Sequence, residues 1–70
     1  MRLEHVKAEL ERWGEVIVTL ASGQKFELHL GDTQFDLQNR LIRITAPAAQ
    51  FVLDGDQIEH LEMHFSHPMS

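Results

Sequence analysis

The stretch Glu15-Val16-Ile17-Val18-Thr19-Leu20-Ala21-Ser22-Gly23-Gln24-Lys25-Phe26-Glu27-Leu28-His29-Leu30 decides how the rest of this chain is read. Val16, Val18 and Leu20 alternate with Ile17 and Thr19, and Phe26, Leu28 and Leu30 alternate with Glu27 and His29. A period of two turns one set of side chains toward a core and the other toward water, the pattern of a half-buried strand. Ser22-Gly23 separates the runs, and glycine takes positive φ without steric penalty, so the stretch predicts a β-hairpin.

Upstream of the hairpin, Leu3, Val6, Leu10 and Trp13 recur at steps of three and four, which places them on one face of a helix. Lys7 and Glu11 are spaced for a pair on the opposite face, and Gly14 stands where a left-handed residue ends a helix. A membrane-surface helix would be richer in Lys and Arg, so the stripe is expected to pack on the sheet, with Trp13 as its largest apolar member.

Downstream, Gly31-Asp32 marks a break, and Thr33 to Asp36 reads as a continuation of the second strand beyond a bulge or bend. Leu37-Gln38-Asn39 is a turn, and Leu41, Ile42, Ile44 and Thr45 supply the apolar and β-branched residues of a third strand. Ala46-Pro47-Ala48-Ala49 interrupts it, because proline cannot donate to a ladder. Gln50 to Leu53 follows as a fourth strand and Asp54-Gly55-Asp56-Gln57 as a turn. From Ile58 to Phe65 two periods compete: Leu61, Met63 and Phe65 alternate as in a strand, whereas Ile58, Leu61 and Phe65 fit a helix with Asp56 and Glu59 as a capping box. The preceding turn and the β context favour the strand. The expected architecture is mainly β, of the α+β class: a helix over residues 1–14 and a strongly bent four- or five-stranded antiparallel meander, barrel-like, over 15–65. Residues 66–70 are expected to be a flexible tail, and the whole to be one domain.

Seventy residues bury only about 60% of the surface their unfolded chain exposes, so the core is thin. There is no cysteine to staple it. Eleven acidic against six basic residues give a net charge of −5, which repels phosphate backbones and argues against nucleic acid and anionic membranes as partners. No apolar run approaches the roughly 20 residues that span a bilayer, so a cytoplasmic protein with no membrane partner is expected.

Two segments carry a likeness to a known family. Phe35-Asp36-Leu37-Gln38-Asn39 resembles the first signature of the Sm and LSm proteins, and Leu53-Asp54-Gly55-Asp56-Gln57-Ile58 resembles the second. The likeness covers residues 15–65. It implies a short helix followed by a bent five-stranded barrel, assembly into rings through strand edges, and RNA contacts at Asp36 and Asn39, to which Arg40 and Arg43, the basic pair outside the N-terminal helix, would add a positive rim. Two departures bear on those contacts. Asp36 and Asn39 are separated by two residues rather than the family's three, and the position of the family's base-contacting arginine holds Asp54, an acceptor-only carboxylate.

His60, Glu62 and His64 would share one face of a strand, about 6 to 7 Å from neighbour to neighbour, and are the candidate metal ligands in the sequence. Ser22, Ser66 and Ser70 have no nucleophile-elbow context, and Asp54 and Asp56 lack the later ligands of a calcium loop. No phosphate-cradling glycine loop is present, and a chain this short is expected to struggle to enclose a pocket of several hundred Å³. The sequence therefore predicts a non-enzymatic protein without a cofactor: a small homo-oligomer joined through strand edges, or a module for a protein partner. The alternative is an Sm-like RNA-binding protein.

Overall fold

The computed structural model describes residues 1–64, and the tail and Phe65 lie outside them. Helix α1 runs Leu3–Trp13, followed by β1 (Glu15–Leu20), β2 (Lys25–His29), β3 (Thr33–Asp36), β4 (Leu41–Thr45), β5 (Gln50–Asp54), a 3-10 turn (Gly55–Gln57) and β6 (Ile58–Glu62). The strands form two antiparallel three-stranded sheets, with orders β2-β1-β6 and β3-β4-β5.

Gly14 closes α1 at φ 82°, where its N–H donates to the Leu10 carbonyl at 2.7 Å. Leu3, Val6 and Leu10 are buried as their spacing requires, but Trp13 is not: it stays 37% exposed, its indole N–H donates to Glu9 at 3.1 Å, and Arg12 lies over its ring. The stripe outlasts the sheet beneath it. The chain must leave α1 at Gly14 to begin β1, so the last position of the stripe falls at the rim.

The hairpin forms as read. Gly23 at φ 93° makes the turn, and Val16 faces Leu28 while Val18 faces Phe26. Leu30 is the exception, 51% exposed: its N–H still reaches the Gly14 carbonyl, at 3.1 Å, but its side chain leaves the core face. Within three residues the chain crosses between sheets, since the Asp32 carbonyl accepts from Thr45 in the second sheet at 3.0 Å. This bend divides the expected long second strand into β2 and β3, raises the strand count to six, and leaves two sheets rather than a closed barrel.

The competing periods of the last segment are reconciled by a bulge. Leu20 faces Ile58 and Thr19 faces His60, so Glu59 has no opposite number on β1. The extra residue brings both Ile58 and Leu61 to the inner face, a spacing that belongs to a helix in an unbroken segment. One cluster results, with Leu3, Val6 and Leu10 from α1, Val16, Val18, Leu28 and Ile58 from the first sheet, and Ile42, Ile44 and Leu53 from the second. Phe26 and Phe51 meet across the sheets with ring centroids 5.8 Å apart.

Candidate functional site

Three surfaces gather the residues that could act on something outside the molecule. The first is the junction of two turns. Asp36 ends β3 and accepts from the Asn39 backbone N–H at 3.1 Å and from its side-chain amide at 2.9 Å, an arrangement that closes the β3–β4 turn. These bonds, the side-chain one foremost, hold the Asp36 carboxyl below its ordinary value. Arg40 completes the turn in the left-handed region at φ 61°, which costs a non-glycine residue energy and must be held by its surroundings. Two contacts hold it: its carbonyl accepts from Gly55 N–H at 2.8 Å, and its guanidinium pairs with Asp56. Asp54 meanwhile caps the 3-10 turn by accepting from Asp56 N–H at 2.9 Å.

The two segments that resemble the Sm signatures thus meet in space. Their chemistry differs from a phosphate cradle, because Arg40 is committed to Asp56, with Glu4 and Asp54 close enough to act on the same guanidinium. Arg43 lies exposed on the outer face of β4, between Gln34 and Val52, where its charge adds to the lowering of the Asp36 carboxyl. Asp36, Asn39 and Arg40 are together, and Arg43 does not join them in a hydrogen-bonded set among the described residues. Gly55 is required by closeness: a Cβ there would fall 2.7 Å from Leu3 side-chain atoms and 2.9 Å from the Arg40 carbonyl oxygen.

The second surface is the set of sheet edges. β2 and β6 end the first sheet, and β3 and β5 end the second. On β5, Phe51 points inward yet is 42% exposed, and Val52, on the outer side with Arg43, is 50% exposed. A groove of about 440 Å³ opens elsewhere, between α1 and β3, walled by Leu10, Leu30 and Phe35. It is an open groove and not an enclosed cavity. Lys7 and Glu11 on the groove's helical side pair with each other at 3.5 Å.

The third surface is the outer face of the first sheet. Pairing of β6 with β1 puts His60 opposite Thr19 and Glu62 opposite Ile17 on this face, while His64 lies beyond the end of β6. Glu62 and His64 contact each other at 2.7 Å, a bond that lowers the Glu62 carboxyl, with the nearby charges of Lys25 and His60 adding to the effect. Among the described residues, the histidine and carboxylate group whose ligand atoms converge, all within 4.8 Å of one another, is a different one: Glu15, Glu27 and His29. The signal for it lay in the hairpin. A turn at Ser22-Gly23 sets Glu15 opposite His29, and alternation then puts Glu27 on the same face.

No protein-family model matches the chain, and neither a curated protein nor a solved structure is similar to it. Among the described residues no helix is long and apolar enough to cross a membrane.

Proposed function

We propose that this protein is a small non-enzymatic assembly module of the cytoplasm, which pairs with copies of itself, or with a protein partner, through the open edges of β5 and β6. The observation that carries the reading is that these strands end different sheets, and that β5 presents Phe51 and Val52 half in water. An edge offers unpaired N–H and C=O groups, and neither β5 nor β6 contains the lysine or proline that discourages pairing. Like edges pairing give a two-fold dimer. Pairing β5 with β6 of the next copy is head-to-tail and gives a ring if the rotation closes. So short a chain without disulfides also gains stability from association.

A second reading, an Sm-like RNA-binding protein, draws on the meeting of the two turn segments at Arg40 and Gly55. Around that point stand Glu4, Asp36, Asp54 and Asp56, which oppose a phosphate backbone.

Light scattering on a sizing column is the test. A mass above 8.1 kDa that returns to 8.1 kDa in Val52→Lys, with the circular dichroism unchanged, is the expected result. A wild-type mass of 8.1 kDa independent of dilution overturns it. Titration with short single-stranded RNA at low salt separates the readings: no binding is expected, and binding that weakens steeply with salt would favour the second.

A further inference from the structure

The Glu15, Glu27 and His29 cluster has the composition and spacing of a metal-binding donor set. His29 Nε2 lies 3.2 Å from a Glu27 carboxylate oxygen and 4.0 Å from one of Glu15. In a tetrahedral site with bonds of about 2.0 to 2.2 Å, neighbouring donor atoms stand about 3.3 Å apart. Of the three separations, one already has about that value, the 4.0 Å one is within about 1 Å of it, and the Glu15 and Glu27 oxygens lie within 4.8 Å of each other, a set that rotation of the exposed side chains can close.

The frame that carries the donors is rigid. Behind the three side chains, Val16, Val18 and Leu28 on the opposite face of the same two strands are wholly or almost wholly buried. Direct pairing of Glu15 with His29 fixes the span between β1 and β2, and the His29 backbone N–H is anchored on Thr33 Oγ1 at 3.2 Å. Donors on a hairpin held in this way lose little further freedom on binding an ion.

We infer that Glu15, Glu27 and His29 bind a zinc-class divalent cation on the outer face of the β1–β2 hairpin. One imidazole with two carboxylates suits zinc and its borderline neighbours better than magnesium or calcium, which take oxygen donors alone. The His29 Nε2 and Glu27 oxygen that contact each other at 3.2 Å are the atoms that would hold the ion, and a neutral imidazole frees Nε2 for it by carrying its proton on Nδ1. Three protein donors leave one tetrahedral position for water or an outside ligand. The Glu62–His64 pair on the far side of β1 offers two donors and is not part of this site.

Zinc titration by calorimetry, with cobalt(II) as the spectroscopic probe, tests the assignment on the intact chain. Saturable binding of one ion per chain is expected, with cobalt absorption bands of a low-coordinate site. Affinity should fall about tenfold or more in His29→Ala and in Glu27→Gln, and stay unchanged in His60→Ala. All three positions are solvent-facing, and circular dichroism of each variant confirms that the fold persists. Cobalt should also broaden amide resonances first around residues 15, 27 and 29. Absence of saturable binding with zinc in large excess, undiminished affinity in His29→Ala, or loss in His60→Ala instead would each overturn the site.

Discussion

β1 and β5 are both rich in apolar residues, yet Val16 and Val18 on the inner face of β1 are sealed from water while Phe51 on the inner face of β5 remains 42% exposed. The difference is position. β1 is the central strand of its sheet, paired on both sides, and α1 packs on it; β5 ends its sheet, and only Leu53 of its five residues is buried. The pattern of a strand therefore says which face is apolar, whereas the elements that arrive over that face say how much of it is covered, since Leu28 on the edge strand β2 is sealed as completely as Val18 on the central one. The first sheet gives Val16, Val18, Leu28 and Ile58 to the core, whereas the last strand of the second leaves Phe51 half in water.

The sharpest way to break this comparison is to truncate both sheets alike. Leu28→Ala, at a fully buried position of the first sheet, should cost about 2 to 5 kcal/mol, enough to leave so small a domain largely unfolded. Val52→Ala should change the stability of the isolated chain by no more than about 0.5 kcal/mol, as surface substitutions do. Urea titrations measured at a dilution where the chain is a monomer decide it, and equal losses would sink the distinction.

Next in size is Gly55→Ala, which probes the junction tying the second sheet to the helix. The added methyl meets the Leu3 side chain and the Arg40 carbonyl oxygen below 3.0 Å, so one of them must shift. A loss of about 1 to 3 kcal/mol is expected, as for overpacking elsewhere, and an unchanged urea midpoint would show that the turn moves freely against α1.

The smallest effect is electrostatic. The Asp36 carboxyl is held low in the folded state, so the folded protein takes up its proton less readily than the unfolded chain does. Its contribution is fully present above the unfolded carboxylate value of about 3.9 and is lost as pH falls through the lowered folded value. Asp36→Asn should therefore lose less stability on acidification than the wild type. Glu62, lowered by His64, retains a slope of the same sign in the first sheet. An identical acid profile in Asp36→Asn would mean that the β3–β4 turn does not depend on this carboxylate.

Most of the local structure was legible in the residues themselves. The Leu3–Val6–Leu10 stripe, Gly14 as the helix end, the hairpin with Gly23, and the breaks at Leu37-Gln38-Asn39 and Ala46-Pro47 are all found where the sequence puts them. Each depends on neighbours within a turn or two of chain, and side-chain period and backbone freedom act over that range. The candidate metal donors were half legible, because the hairpin register pairs Glu15 with His29 without help from the rest of the molecule.

What only the tertiary structure decided depends on partners far away in the chain. The bend at Leu30-Gly31-Asp32 and the division into two sheets follow from which strand each segment finds, as β1 finds β6 across some forty residues. The bulge at Glu59 shows itself only against Leu20 and Thr19, and the exposure of Trp13 follows from where the sheet ends beneath α1. Sequence periodicity fixes the direction in which a side chain points, but coverage requires another surface to arrive there, and that is set by long-range pairing.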